Sequence, residues 1–276
     1  MENSILNFEL FIMINSNAAV GSVVSLWRYP VKSMLGEELN ATQVTEKGLL
    51  GDHIYALIDT ATGMTISAKN PRKWGKMFDC RAALAETSVK ITLPDGAIVL
   101  SNADDANQIL SQLFGRELKL KAIAPQKPSL EEYWPTIEGL PHQDAVTNEA
   151  TLANTFFDGA TVHILTTATL DRLQEITPNS RFETRRFRPN IVVKPMQEAK
   201  GFIENDWIGR EIAIGDEVRL KVTGACPRCV MTTMAQSELP KDLSVLQTAV
   251  KHNQGNVGIY ASVVRGGIVR RGDPVF

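Results

Sequence analysis

"REIAIGDEVRLKVTG", Arg210 to Gly224, and "VGIYASVVRGGIVRRGDPVF", Val257 to Phe276, carry the pattern that decides the fold. Each is a β-branched run broken by a Gly-Asp turn, Gly215-Asp216 in the first and Gly272-Asp273 in the second, with a valine soon after. Branched and aromatic side chains suit extended, half-buried backbone, and glycine supplies turn conformations that other residues resist. Working outward, "ATVHILTTATLDRLQEI" (Ala160 to Ile176) reads as a buried strand running into a helix that begins near Thr167. "RRFRPNIVV" and "CVMTT" read as further extended segments, and "DLSVLQTAVKH" as a helix. Short strands at this spacing, with only two or three helices, predict a β-barrel and not a parallel βαβ sheet. No internal repeat of solenoid length is present.

The first half is also strand-rich. "GSVVSLWRYPV" stops at Pro30, and "HIYALIDTATGMTIS" reads as two strands around a turn at Thr60 to Gly63. "VKITLPDGAIVLS" is a hairpin turned by Pro94-Asp95-Gly96. "SNADDANQILSQLFG" is helical, with Ile109, Leu110 and Leu113 on one face and Gly115 to end it. From Pro125 to about Ala150 four prolines and the loss of any period mark a loop-rich linker. The expected division is therefore residues 1–20 as an N-terminal extension, frayed or an upstream start, 21–124 and 151–276 as two units, and 125–150 between them.

With 276 residues, 43% hydrophobic and 22% charged, the chain has the composition of an ordinary globular protein with a well-buried core. A net charge of -2 argues against a broad nucleic-acid footprint. "ILNFELFIMI" near the start is too short to span a bilayer and is interrupted by Glu9, so no membrane partner is expected. Either Met1 or Met13 could be the start. Three cysteines without regular spacing make no disulfide framework, which points to a reducing, cytoplasmic setting.

Two of those cysteines, Cys226 and Cys229, share the stretch "GACPRCVMTT". A structural zinc lacks a second pair of ligands: Cys80, His53, His142, His163 and His252 are scattered. A thioredoxin-type pair needs a helix N-terminus to lower its thiol pKa, whereas Cys226 ends a strand. One thiolate donated to a thiophilic metal, favoured by the adjacent Arg228, is a third reading. Two small buried cysteines in a strand turn is the plainest one.

Four phrases in order, "LWRYPVKSM" (Leu26 to Met34), "FRPNIVV" (Phe187 to Val193), "ACPRCVMTT" and the terminal "GDPV", resemble the signature set of MOSC-domain proteins. The first half, including "GLLGDHIYALID", resembles the N-terminal β-barrel domain that precedes MOSC in amidoxime-reducing components and their bacterial relatives. The resemblance implies a β-dominated α+β protein, an N-terminal β-barrel-like domain followed by a MOSC β-barrel with a few helices. It also implies a molybdenum–molybdopterin cofactor with Cys229 as the metal's thiolate ligand and catalytic cysteine. Matching cofactor contacts are Lys32 and Ser33, His53, Asp158, Gly159 and Ala160, Arg188 and Asn190, Pro227 and Arg228, and Tyr260. Cations and hydroxyls among these suit a pterin phosphate, and Asn190 suits a heterocycle edge. His53 stands where the family usually has arginine; an imidazole lacks the permanent forked charge, so either another cation such as Lys69 or Arg72 of "SAKNPRKW" takes over, or the chain binds a variant cofactor or binds it more weakly.

The activity so implied is reduction of N-hydroxylated or N-oxygenated small molecules to the parent base, with two electrons and two protons releasing the oxygen as water. Because the chain stops at Phe276 without a fused iron–sulfur domain, the expected partner is a separate flavin or iron–sulfur reductase. The family also carries a pyridoxal phosphate-binding label. Two alternatives remain at this point: a sulfur carrier using a persulfide on Cys229, and a non-catalytic binder of the molybdenum cofactor.

Overall fold

In the computed structural model, which describes residues 18–196 and 198–276, the strands of the second half close into a seven-stranded barrel. Its order is Ile191–Pro195, Val162–Thr166, Asn256–Arg265, Val218–Pro227, Glu211–Ile214, Pro274–Val275 and Gly21–Arg28, which returns to Ile191–Pro195. Every neighbour is antiparallel save Val162–Thr166 beside Ile191–Pro195, which run parallel. A parallel pair needs a crossover, supplied by the helix Thr167–Ile176 and the short helix Thr184–Phe187. Thr166 caps the longer helix by accepting a hydrogen bond from the Thr169 N–H. Inward-facing Val23, Leu26, Ile164, Ile191, Leu220, Ile259 and Val275 fill the barrel and are all but inaccessible.

The strand Gly21–Arg28 crosses the division read from sequence. It lies near the start of the chain, yet it pairs with Ile191–Pro195 and Pro274–Val275 and closes the second unit's barrel. Most of the extension foreseen at 1–20 lies outside the described residues. The rest of the first half packs small antiparallel sheets around a second core containing Met34, Leu57, Phe78, Ile91 and Leu110. The hairpin Val89–Thr92 with Ile98–Leu100 and the helix Ala106–Phe114 form as expected, and Gly115 ends that helix with φ 64°. Met231 and Met234, from the turn after Cys229, reach across into this core and join the two halves.

Two further expectations are corrected. The linker is not plain loop: Ser129–Trp134 and Ala145–Ala150 form an antiparallel ribbon, with the Trp134 indole donating to Thr147 Oγ1 at 2.8 Å. "CVMTT" is not extended either. Cys229 heads a 3-10 turn, Val230–Thr233, in which Thr232 N and Oγ1 both donate to the Cys229 carbonyl (3.2 and 3.0 Å) and Thr233 Oγ1 donates to Val230. Threonine hydroxyls that back-bond to carbonyls three residues earlier compete with strand pairing, which period counting does not detect.

Candidate functional site

A cleft of about 740 Å³, counting the solvent in its mouth, lies where the two halves meet. All the residues named from the resemblance line it, although they come from at least six separate stretches of chain. Lys32 and Ser33 follow the first barrel strand, and the first-half loop brings Asp52 and His53. The loop before Val162–Thr166 brings Asp158, Gly159 and Ala160; the short helix ends at Arg188, with Asn190 next to it. The end of Val218–Pro227 carries Pro227, Arg228 and Cys229, and Tyr260 faces them from Asn256–Arg265. Gly159 passes so close to Tyr260 that a Cβ there would stand 2.8 Å from the ring. Gly258, at φ 81°, lets its strand pass His163, where a Cβ would be 2.3 Å from Nε2.

Charge dominates the cleft. Lys32 is 3% exposed; its ammonium donates to the Phe156 carbonyl at 2.6 Å and to Asp158. Burial lowers the Lys32 pKa, against the pull of Asp158. Lys69 stands 3.1 Å from Glu132 and 3.4 Å from Asp158. Burial opposes its charge, but Asp158, Cys229 and Glu132 outweigh burial and raise its pKa well above the ordinary value. Burial would raise Asp158, yet Lys32 and Lys69 hold it far below the usual carboxylate range. Of the two cations offered as stand-ins for arginine at position 53, Lys69 lines the cleft, while Arg72 points to an exposed Asp144 elsewhere.

His53 is held by Asp52, whose Oδ2 lies 2.9 Å from its Nδ1, and its ring packs on Phe157 with centroids 4.8 Å apart. Asp52 is also the bolt between halves: it accepts from the Tyr29 N–H (2.6 Å) and from Asn190 Nδ2 (3.1 Å). Asn190 Oδ1 accepts from the His163 N–H at 2.9 Å, so both ends of that amide serve the protein's own frame. Arg188, in left-handed conformation at φ 53°, lays its guanidinium 4.0 Å above the Tyr29 ring and donates to Met34 O at 2.6 Å. Arg228 donates to Phe187 O at 2.9 Å and to Cys226 Sγ at 2.7 Å.

The two thiols differ. Burial pushes Cys229 up to about 11, only partly relieved by Lys69. Burial would raise Cys226 as well, but Arg228, His163 and Tyr260 outweigh it and bring that thiol down to about 6. Cys226 thus is the sulfur whose negative charge the protein itself stabilises. Asp52, Phe157, His163, Phe187 and Met231 also line the cleft and were not among the contacts named from the resemblance. His163 left one readable sign, a polar residue inside the otherwise apolar run "VHIL".

Arg188 Nη2 and Arg228 Nε are buried here without a partner among the described residues. Two unfilled guanidinium donors, one buried and one half-buried lysine and one partly exposed thiol fit an anionic ligand that also carries a thiophilic metal. Residues 151–276 match the MOSC domain family and residues 20–123 the MOSC N-terminal beta barrel domain.

The chain is a MOSC-domain protein.

Its relatives include mitochondrial amidoxime reducing component 2 of Rattus norvegicus, 25% identical over 93% of this chain and 83% of that protein. A shorter match, 35% identical over 33% of this chain and 10% of the relative, is to a molybdenum cofactor sulfurase of Bombyx mori. Among solved structures, the YUAD protein of Bacillus subtilis overlays with a TM-score of 0.47 at 14% identity, covering 92% of this chain and 93% of that one. As a MOSC protein the chain has a molybdenum-cofactor-associated role. Among the described residues no helix is long and apolar enough to cross a membrane.

Proposed function

We propose that this MOSC-domain protein binds a molybdenum–pterin cofactor in the cleft and reduces N-hydroxylated or N-oxygenated small molecules, with Cys229 as thiolate ligand. The observation that carries the reading is the meeting of Cys229, Lys32, Lys69, Arg188 and Arg228 around one cleft, in a chain whose full-length relatives are named for amidoxime reduction. When bound, the cofactor supplies two-electron, oxygen-accepting chemistry. The chain's own residues do the rest. Lys32, Arg188 and Arg228 take the phosphate end, where forked guanidinium donors hold oxygens in plane. Asp52 fixes the His53 ring, which together with the tilted Phe157 ring offers an aromatic wall to a heterocycle. Lys69 favours loss of the Cys229 proton when the metal arrives. The reading keeps the electron donor as a separate flavin or iron–sulfur protein and the cytoplasm as the compartment.

The test is molybdenum content and amidoxime reduction by protein made in a host that synthesises molybdopterin. Cys229→Ala is expected to lose the metal and at least about 100-fold in kcat/KM, whereas Cys226→Ser keeps activity within about threefold. Wild-type protein free of molybdenum, or equal loss from both substitutions, would overturn the proposal.

One observation favours a second reading, a sulfur carrier. The thiol whose pKa the protein lowers, to about 6, is Cys226, so it and not Cys229 would take the outer sulfur of a donor persulfide, with the donor's thiolate leaving. Cyanide-labile sulfur mapped to Cys226 in protein lacking molybdenum is the expected result of that alternative.

A further inference from the structure

Arg186 is the largest side chain with no exposure at all, and its charge is disfavoured by that burial. Among the described residues it forms no ion pair. Its guanidinium meets carbonyl oxygens instead. Nε donates to Arg181 O at 2.8 Å, Nη1 to Thr232 O and Met234 O at 3.1 and 3.2 Å, and Nη2 to Pro240 O at 2.8 Å. A buried cation survives when each face of its fork finds an acceptor, and planar guanidinium geometry suits several convergent carbonyls as an ammonium does not.

Three of those carbonyls belong to the segment that follows Cys229. Thr232, gripped by Nη1, returns two hydrogen bonds to the Cys229 carbonyl. Met231 and Met234 pin the other side of the same turn into the core of the first half. Arg186 sits on the helix Thr184–Phe187, and the residues after it serve the cleft directly: Phe187 O receives Arg228, and Arg188 spans to Met34 O. One short helix therefore holds the cysteine turn from behind and sets two cations in front.

We propose that Arg186 is a positioning residue for Cys229, holding the Val230–Thr233 turn in register with Arg188 and Arg228 so that thiol and cations address a single ligand. The proposal rests on Cys229 being the metal ligand. Arg186 touches neither the cleft nor anything in it; it acts through the turn.

Arg186→Met strips four carbonyls of their donor and risks unfolding, so Arg186→Lys, which keeps a donor without the fork, is the working variant. Ile214→Ala, in the barrel core, serves as a control of comparable lost stability. Full-length protein from a host unable to make molybdopterin is treated with iodoacetamide, and modification of each cysteine is followed by peptide mass. Arg186→Lys is expected to speed alkylation of Cys229 at least about fivefold over wild type while Cys80 stays protected, and Ile214→Ala to leave the Cys229 rate within about twofold. Made with the cofactor, Arg186→Lys is expected to retain at least about threefold less molybdenum. A wild-type Cys229 rate in Arg186→Lys, or the same acceleration in Ile214→Ala, overturns the proposal. Wild-type protein that never binds molybdenum fails the functional reading instead, and the alkylation comparison still judges Arg186.

Discussion

Cys226 and Cys229 are three residues apart and have opposite electrostatic surroundings. Arg228, His163 and Tyr260 converge on Cys226, whereas Cys229 sits at the head of a turn where burial dominates. The thiolate absorbance of cofactor-free protein is therefore expected to rise in a step near pH 6 that Cys226→Ser removes and Cys229→Ser leaves; a step that survives Cys226→Ser would refute the assignment. The stability effect has a definite sign. Cys226 has a folded pKa below its unfolded value, so the stabilisation is complete above the unfolded thiol pKa and fades as pH falls through about 6. Thermal melts should show Cys226→Ser destabilised at pH 8 and the gap to wild type narrowing by pH 5. Sequence reading placed both cysteines together but treated Cys226 as a strand-ending bystander. Arg228 is its neighbour in sequence, but His163 and Tyr260 lie on other strands, and spacing along the chain carries no information about those two.

At the level of elements, the loop Phe157–Ala160 matters through Asp158, which bridges Lys32 and Lys69. Asp158→Asn removes the negative charge that faces buried Lys32 and leaves it only neutral acceptors such as Phe156 O. Discounted for the partial exposure of Asp158, the cost is expected at about 1–3 kcal/mol at pH 7. Asp158 is depressed in the folded state, so its contribution is present above the ordinary carboxylate pKa and disappears in more acid solution. The gap in denaturant midpoint between wild type and Asp158→Asn should begin to narrow below about pH 4 and go on shrinking as the solution becomes more acid, and a pH-independent gap would count against the bridge. The linker ribbon belongs to the same account. Glu132 at 3.1 Å from Lys69 gives this segment a part in the cleft's charge balance. Four prolines and mixed polarity concealed that ribbon, because its pairing partner stands across a ten-residue loop.

For the whole molecule, barrel closure by Gly21–Arg28 makes the second half dependent on the start of the chain. A fragment of residues 151–276 is expected to lack cooperative unfolding and to show unprotected amides on the edge of Ile191–Pro195 that Gly21–Arg28 covers, one of its two strand partners being gone. A fragment with a sharp melt and full protection would contradict this. Leu26→Ala, at 0% exposure in the barrel, should cost the intact chain about 2–5 kcal/mol by denaturant titration.

The β-rich character, the hairpin at Pro94-Asp95-Gly96 and the helices beginning near Thr167 and ending at Gly115 are local, set by side-chain branching, turn glycines and capping over a few residues. So is the presence of the family's phrases in order. Only the tertiary structure decided that the first strand belongs to the last barrel, that "CVMTT" turns, that Cys226 is the anionic thiol, and that Arg186 grips the turn beyond Cys229. Each of these depends on groups far apart in sequence, brought together when apolar burial closes the barrel and leaves buried charges to find acceptors on whichever backbone lies beside them.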